Sequence, residues 1–265
     1  MSVSIIIAAP HSKCYNSNVR TCDLRAKYAA ETLFDIAKHT YNDVDVELFL
    51  SDTYRNVSDL NRDESYNTEW RVLLRNTIMQ KSEVYDYVIL LETHSYFGTM
   101  MGMRDNVPMY LVQTKGNYDV GLMIKSYFEQ EGKVLNVLLG NPDINSIQND
   151  IMQMSDKKGK NIFPVLAEFN EDADQIPDDV INDYASTLLK ALITNADKFT
   201  RKERYVALEQ KITGLIIGGV KKTIHVFVKI LIWILIIVVV SFVMILIIDA
   251  NTRYKFREFI MESLK

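Results

Sequence analysis

The stretch VSIIIAAPHS, from Val3 to Ser12, decides the fold of the N-terminal part of the chain. Five consecutive apolar residues, Ile5–Ala9, lead into a proline, and the histidine His11 follows it directly. A short apolar run of this kind predicts a strand that is buried on both faces, as in a parallel sheet covered by helices. The stretch therefore predicts a buried first strand with a polar side chain at its carboxyl end.

Strand and helix patterns alternate along the sequence that follows. Further strands are predicted at 44–52, 85–95, 108–113, 134–140 and 161–171, and amphipathic helices at 24–39, 68–81, 121–132, 145–157 and 177–199. This alternation predicts an α/β fold, with a mixed, mostly parallel sheet and helices on both faces. In such sheets ligands bind beyond the carboxyl ends of the strands, so the residues at those ends are the candidates for function.

The C-terminal part has a different character. From Ile230 to Ile248 the sequence ILIWILIIVVVSFVMILII contains no charged residue, and a helix of that length covers most of the roughly 30 Å hydrocarbon core of a bilayer. We therefore predict a transmembrane helix at 230–248. It follows an α/β domain at 1–200 and an amphipathic juxtamembrane linker at 201–229, and a short polar tail at 249–265 ends the chain.

Charge and cysteine content suggest where the domain lies. The N-terminal apolar run is too short for a signal peptide and lacks a basic region before it, and the chain has two cysteines. We expect a cytosolic N-terminal domain and a C-terminal membrane anchor, with the lipid bilayer as a partner. Basic residues flank both sides of the span and do not indicate its orientation. The net charge of -4 gives no indication of nucleic-acid binding.

Two predicted strands end at a histidine followed by a serine. His11 follows the apolar segment SIIIAAP of the first strand, and His94 follows the apolar segment YVILLET of the third. Each histidine alone is as well explained by a hydrogen-bonded core position. Two imidazoles at one edge of a sheet, together with a carboxylate, would form a catalytic zinc site with an open position.

Asp23 is the candidate carboxylate. It stands at the start of the first predicted helix, so the loop after His11 can bring the two side chains together. The alternative is that Asp23 only caps this helix, a common role for aspartate. Cys14 is a rival ligand, because thiolates also bind zinc.

A polar segment, YRNVSDLNRDES, follows the second predicted strand and contains Arg55, Asn61 and Arg62. An arginine can bind a carboxylate with two parallel hydrogen bonds, and a neighbouring amide adds a directed donor. The alternative is a solvated turn.

Glu168 lies within the apolar strand segment FPVLAEFNE. Alternation predicts Val165, Ala167 and Phe169 on one face of this strand, and Leu166 and Glu168 on the other. A buried glutamate is costly unless it is paired or functional, so Glu168 is a candidate general base. The alternative is a strand edge that faces water.

Together these motifs resemble the N-formylglutamate amidohydrolase family, which is related to the aspartoacylases and zinc carboxypeptidases. The resemblance rests on PHS, CD before a helix, DLNR, ETHS and a late strand glutamate, and it runs from about Val3 to Phe169. It implies a zinc-carboxypeptidase-like fold and a Zn²⁺ cofactor. The implied zinc ligands are His11, Asp23 and His94.

The resemblance also implies roles in substrate binding and catalysis. Asn61 and Arg62, with Arg55 as an accessory, would hold a carboxylate of the substrate, and Glu168 would be the general base. The implied reaction is hydrolysis of an amide bond next to a carboxylate, in an N-acyl amino acid or a peptide-like molecule.

The sequence departs from the family pattern at three places. The loop between His11 and Asp23 is short. Lys13 stands where the amidohydrolases have a glycine after PHS, and the segment 140–148 contains no basic residue to match the one expected there. One alternative is an inactive relative that serves as a structural or scaffold membrane protein. A large DNA virus would fit as its source, because a chain rich in Asn, Ile, Lys and Tyr indicates an AT-rich genome. Another is a binding module that docks through the amphipathic segment Thr200–Ile212.

Overall fold

The computed structural model describes residues 1–14, 22–97, 106–141, 145–172 and 174–200, and a few positions near the C-terminus. The chain divides into two compact units, Met1–Ala207 and Leu208–Lys265. In the second unit the described residues, Tyr254, Lys255, Arg257 and Phe259, are helical.

The described part of the first unit is built on a six-stranded sheet with the order β2-β1-β3-β6-β4-β5. The strands are β1 (Val3–Ala9), β2 (Val44–Leu50), β3 (Tyr87–Tyr96), β4 (Met109–Gln113), β5 (Asn136–Leu139) and β6 (Ile162–Asn170). β1, β2, β3 and β6 are parallel to one another, whereas β4 runs antiparallel to β6 and β5 runs parallel to β4. The prediction of a mixed, mostly parallel sheet is confirmed.

The described residues include five α-helices, of which four lie between strands in the chain and the fifth follows β6. They are α1 (Leu24–Thr40), α2 (Glu69–Val84), α3 (Tyr118–Gln130), α4 (Ser146–Lys158) and α5 (Asp178–Asn195), and a 3₁₀ helix at Ala196–Thr200 follows α5. The start of α3 was predicted at Gly121, but the helix begins three residues earlier, at Tyr118. A β-carbon at Gly121 would lie 2.8 Å from Cγ1 of Val137 on β5. The glycine therefore lets α3 pack closely against β5.

Both faces of the sheet are covered. One face packs Ile5, Ile7 and Val165 against apolar residues of α1, α3 and α5. The opposite face packs Ile6 and Leu90 against α2 and α4. Burial on both sides explains why the strands read as continuous apolar runs. It also means that a charged side chain on either face is exceptional.

In the part of the chain that the structure describes, no helix is both long and apolar enough to cross a membrane. The span predicted at 230–248 and the linker predicted at 201–229 lie outside the described residues.

Candidate metal centre

Three buried side chains converge at the carboxyl edge of the parallel strands. His11 follows β1, Asp23 precedes α1, and His94 lies near the end of β3. Nδ1 of His11 lies 3.1 Å from Oδ2 of Asp23, and Nδ1 of His94 lies 3.3 Å from the same oxygen. One possible ligand atom from each residue lies within 4.8 Å of the other two. The structure thus brings together the three residues predicted as zinc ligands.

Two alternatives, that Asp23 only caps α1 and that Cys14 is a metal ligand, are not supported by the geometry. Asp23 occupies the N-cap position of α1, yet its side chain makes no capping hydrogen bond, because the carboxylate is turned towards the two histidines. Cys14 forms a disulfide with Cys22, so it offers no thiolate to a metal. This pairing also removes the support that the low cysteine number gave to a cytosolic domain, since disulfides persist mainly in oxidising compartments.

A carboxylate lies against the outer nitrogen of each histidine. Nε2 of His11 is 2.7 Å from Oδ1 of Asp59, and Nε2 of His94 is 2.6 Å from Oε1 of Glu92. Histidine ligands of metals commonly donate their second N–H to a carboxylate, which fixes the tautomer and the ring orientation. The sequence analysis did not identify Asp59 or Glu92. The spacing of Glu92 and His94 was a usable signal, because residues two apart on a strand share a face.

This arrangement fits a metal cation. If each Nε2 donates its proton to a carboxylate, the Nδ1 atom of a neutral imidazole is an acceptor. Both Nδ1 atoms of His11 and His94 then face another acceptor, the Asp23 oxygen, at 3.1 and 3.3 Å. A cation held among the three atoms turns these repulsive contacts into attractive ones. Two imidazoles and one carboxylate are also a common donor set of catalytic zinc sites.

The electrostatics of the metal-free centre show how strongly these groups interact. Burial opposes ionisation of Asp23, but hydrogen bonds and charge interactions with His11 and His94 outweigh it and hold the pKa of Asp23 well below its usual range. Burial likewise disfavours a charged His94. Hydrogen bonds to Asp23 and Glu92 nevertheless raise the pKa of His94 to about 10. In the absence of metal, a proton therefore takes the place of the cation on His94.

Glu168 lies next to His94. The two residues are register partners in the parallel pair formed by β3 and β6, so their side chains lie on the same face. Val165, Ala167 and Phe169 pack on the opposite face, which confirms the predicted alternation. Glu168 is only partly exposed, and burial raises its pKa to about 7, helped by the charge of Asp23 and opposed by that of His94. A carboxyl group with this pKa can exchange a proton near neutral pH.

The three residues predicted to bind a substrate carboxylate differ in their positions. Nη1 of Arg55 lies 3.3 Å from Oδ1 of Asp23, and Nη2 of Arg62 lies 3.7 Å from Oδ2 of Asp59. Both arginine side chains are more than a third exposed. Asn61 is buried: its Nδ2 lies 3.3 Å from Nε2 of His94, and its Oδ1 accepts a hydrogen bond from the backbone N–H of Ile147 at 3.3 Å. The assignment of Asn61 to the substrate therefore stays a prediction.

The part of this segment around Asn61 is buried and is held by an arginine of α2, whereas the turn after Arg55 is exposed. Arg71 of α2 is almost fully buried, and it donates hydrogen bonds to the backbone carbonyls of Leu60 and Arg62 at 3.1 and 3.2 Å. It also donates to the hydroxyl of Ser146 at the start of α4, at 2.8 Å. Arg71 therefore fixes the backbone on either side of Asn61. Nothing in the local sequence marked this arginine as part of the site.

Comparisons with known proteins define the fold more than the chemistry. No protein-family model and no curated protein matches the chain. The structure is similar to that of the gene product Atu2144 from Agrobacterium tumefaciens, with a TM-score of 0.51 and 14% identity over 73% of this chain and 91% of that one. The fold and the site together define an α/β protein with a candidate metal centre at the carboxyl edge of its sheet.

Weaker similarities extend to two named enzymes. Pyrrolidone carboxyl peptidase from Thermococcus litoralis matches with a TM-score of 0.47 and 8% identity, over 75% of this chain and 96% of that one. The N-acetylmuramoyl-L-alanine amidase AmiC2 of Nostoc punctiforme matches with a TM-score of 0.40 and 9% identity, over 74% and 97%.

Proposed function

We propose that the chain is a zinc-dependent hydrolase that cleaves an amide bond next to a carboxylate, in an N-acyl amino acid or a short peptide. The observation that carries this proposal is the convergence of His11, Asp23 and His94, with the two Nδ1 atoms 3.1 and 3.3 Å from one carboxylate oxygen. The adjacent Glu168 supplies the second element that hydrolysis needs, a carboxyl group held beside His94, and burial raises its pKa in the metal-free protein.

The residues of the site divide the chemistry among them. His11, Asp23 and His94 would hold the zinc ion, which when bound supplies Lewis acidity and lowers the pKa of water. Glu168 accepts the proton of the attacking water and delivers it to the leaving nitrogen. Its position beside His94 suits this role, because the pairing of β6 with β3 fixes the distance between the base and the ligand.

Arg55 and Arg62 give the site its preference for an anionic substrate. Their guanidinium groups remain partly exposed while they pair with Asp23 and Asp59, so they can also contact a ligand from the solvent side. A substrate carboxylate held there places the neighbouring amide near the metal ligands. An uncharged substrate lacks this contact, and we expect it to bind more weakly.

The alternative of an inactive structural relative makes a different prediction. Such a relative would be expected to lose a ligand or the base, whereas this chain keeps His11, Asp23, His94 and Glu168 together. Their joint presence supports an enzyme.

The proposal is tested by assaying the zinc-loaded full-length protein against a panel of N-acyl amino acids and short peptides. We expect turnover that a chelator abolishes and added zinc restores. Glu168→Gln should keep the metal but lose about 10²–10⁴-fold in rate. Glu83→Gln, which changes an exposed glutamate of α2, serves as the control and should leave the rate unchanged. Absence of turnover with every substrate, or full turnover in Glu168→Gln, would contradict the proposal.

We further propose that the apolar segment 230–248 anchors this hydrolase in a membrane. Its support is the sequence alone, which is free of charge over a length suited to a bilayer. Extraction of membranes at alkaline pH tests this proposal: the full chain should stay in the pellet, and its release into the supernatant would contradict the anchor.

A further inference from the structure

Glu92 is the most unusual charged residue of the sheet. It lies in the middle part of β3 with an exposed fraction of 0%, and its register partners are Ala8 on β1 and Leu166 on β6. Both neighbours are apolar. Burial of a carboxylate among such neighbours costs several kcal/mol unless its oxygens are paired.

The contacts of Glu92 offset this cost only in part. Oε1 lies 2.6 Å from Nε2 of His94, whereas Oε2 is buried and has no hydrogen-bond partner among the residues that the structure describes. Within the same residues, the ion pairs of Glu92 involve His94 alone. The carboxylate is thus kept at an unfavourable position, and its one evident role there is its contact with the histidine.

The carboxylate on the other histidine has different surroundings. Asp59 is about a quarter exposed and also pairs with Arg55 at 3.6 Å and Arg62 at 3.7 Å, so water and two cations share its charge. Among the described residues, Glu92 has no such cation beside it: its one ion pair is with His94, and its charge otherwise adds only to the raised pKa of Glu168. Loss of Glu92 should therefore affect the metal centre more than loss of Asp59.

We propose that Glu92 is a positioning residue of the metal centre. Its carboxylate accepts the Nε2 proton of His94 and thereby directs the Nδ1 lone pair towards Asp23 and the metal. This inference rests on the proposed function for the identity of the metal, zinc. It adds a residue that contacts neither substrate nor metal and acts through His94.

The test compares Glu92→Gln with wild type and with Glu47→Gln. Glu47 is a strand glutamate on β2 that pairs with Lys81 at 3.3 Å, so it is a matched control for the chemical change. Zinc affinity is measured by competition with a chromophoric chelator, and the geometry of the site by the visible absorption of the Co²⁺-loaded protein. We expect Glu92→Gln to bind zinc about 10–100-fold more weakly, with shifted Co²⁺ bands, and Glu47→Gln to match wild type in both.

A merely structural role gives a different result. It would lower the thermal stability of the metal-free and zinc-loaded forms equally, whereas a positioning role reduces the stabilisation that added zinc confers. If Glu92→Gln does not fold, Glu92→Asp replaces it. That side chain keeps the charge but is one methylene too short for the contact, and we expect it also to weaken zinc binding.

The outcomes separate this inference from the proposed function. Wild-type zinc affinity and unchanged Co²⁺ bands in the Glu92 variant would overturn the role of Glu92 and leave the hydrolase proposal intact. A wild-type protein that binds no zinc would overturn both.

Discussion

His94 on β3 and Glu168 on β6 are register partners in the sheet, although the described residues between them form two further strands and two α-helices. The pairing puts a candidate base next to a candidate metal ligand on rigid elements instead of mobile loops. Sites built on strands hold their geometry more closely than sites built on loops.

Asp23 is the carboxylate that both histidines face, so its replacement should remove the metal. Asp23→Asn keeps the shape but loses the charge, and we expect zinc affinity to fall by more than the roughly 10–100-fold that loss of an outer-shell partner causes. Asp35→Asn on the exposed side of α1 is the control. Metal titration of both variants measures the effect, and equal affinities would contradict the assignment of Asp23.

Zinc binding should release a proton from His94. The pKa of His94 is raised to about 10 in the metal-free protein, so the side chain is protonated at pH 8 and must lose a proton to become a ligand. Isothermal titration calorimetry in buffers with different ionisation enthalpies should report about one proton released from this residue per zinc. A binding enthalpy that is independent of the buffer would show that His94 is not the ligand described above.

Glu168 should make the metal-free protein less stable as the pH rises. Its pKa is raised by burial from 4.5 to about 7, so the folded state holds a proton that the unfolded state has already released. The stabilisation that this proton confers is complete below pH 4.5 and is lost as the pH passes 7. Relative to Glu168→Gln, the wild type should lose about 1–2 kcal/mol of unfolding free energy, a value reduced for the partial exposure of the carboxylate.

Urea unfolding of both proteins at pH 4.5 and pH 8, with chelator present, measures this difference. A stability difference between the two proteins that does not change with pH would mean that the carboxyl group of Glu168 titrates normally.

The disulfide between Cys14 and Cys22 should stabilise the loop that joins His11 to Asp23. It closes a loop with a sequence separation of 8 residues. Replacement of both cysteines by serine should cost about 2–3 kcal/mol of unfolding free energy by the chain-entropy argument. The comparison is made by urea unfolding without reductant. Equal stability of the variant and the oxidised wild type would indicate that the pair is not bridged in solution.

The positions of the strands along the chain could be predicted from the sequence, but their order in the sheet could not. Apolar runs and helical spacing located the six strands and α1 to α5, since burial on both faces leaves a clear pattern. The helical residues near Tyr254 lie in what was predicted as a polar tail. The insertion of β6 between β3 and β4, and the reversal of β4, left no such pattern. They depend on which edges pair in three dimensions, and a short strand such as Met109–Gln113 reads the same in either direction.

The residues of the site likewise divide into those that the sequence pattern identifies and those that only the structure shows. His11, His94 and Glu168 could be identified because a polar residue in an apolar strand stands out. Glu92 is equally conspicuous in its apolar strand, and its place two residues before His94 on the same face was the signal that could have identified it. Asp59 and Arg71 act through contacts between distant segments, which no local pattern records.

The most direct test of the account is the metal content of the purified full-length protein, prepared without chelator and measured by elemental analysis. A centre formed by His11, Asp23 and His94 should retain about one equivalent of zinc, or regain it when zinc is added to stripped protein. Less than about a tenth of an equivalent of any transition metal, unrestored by added zinc, would contradict the metal centre on which the proposed hydrolase depends.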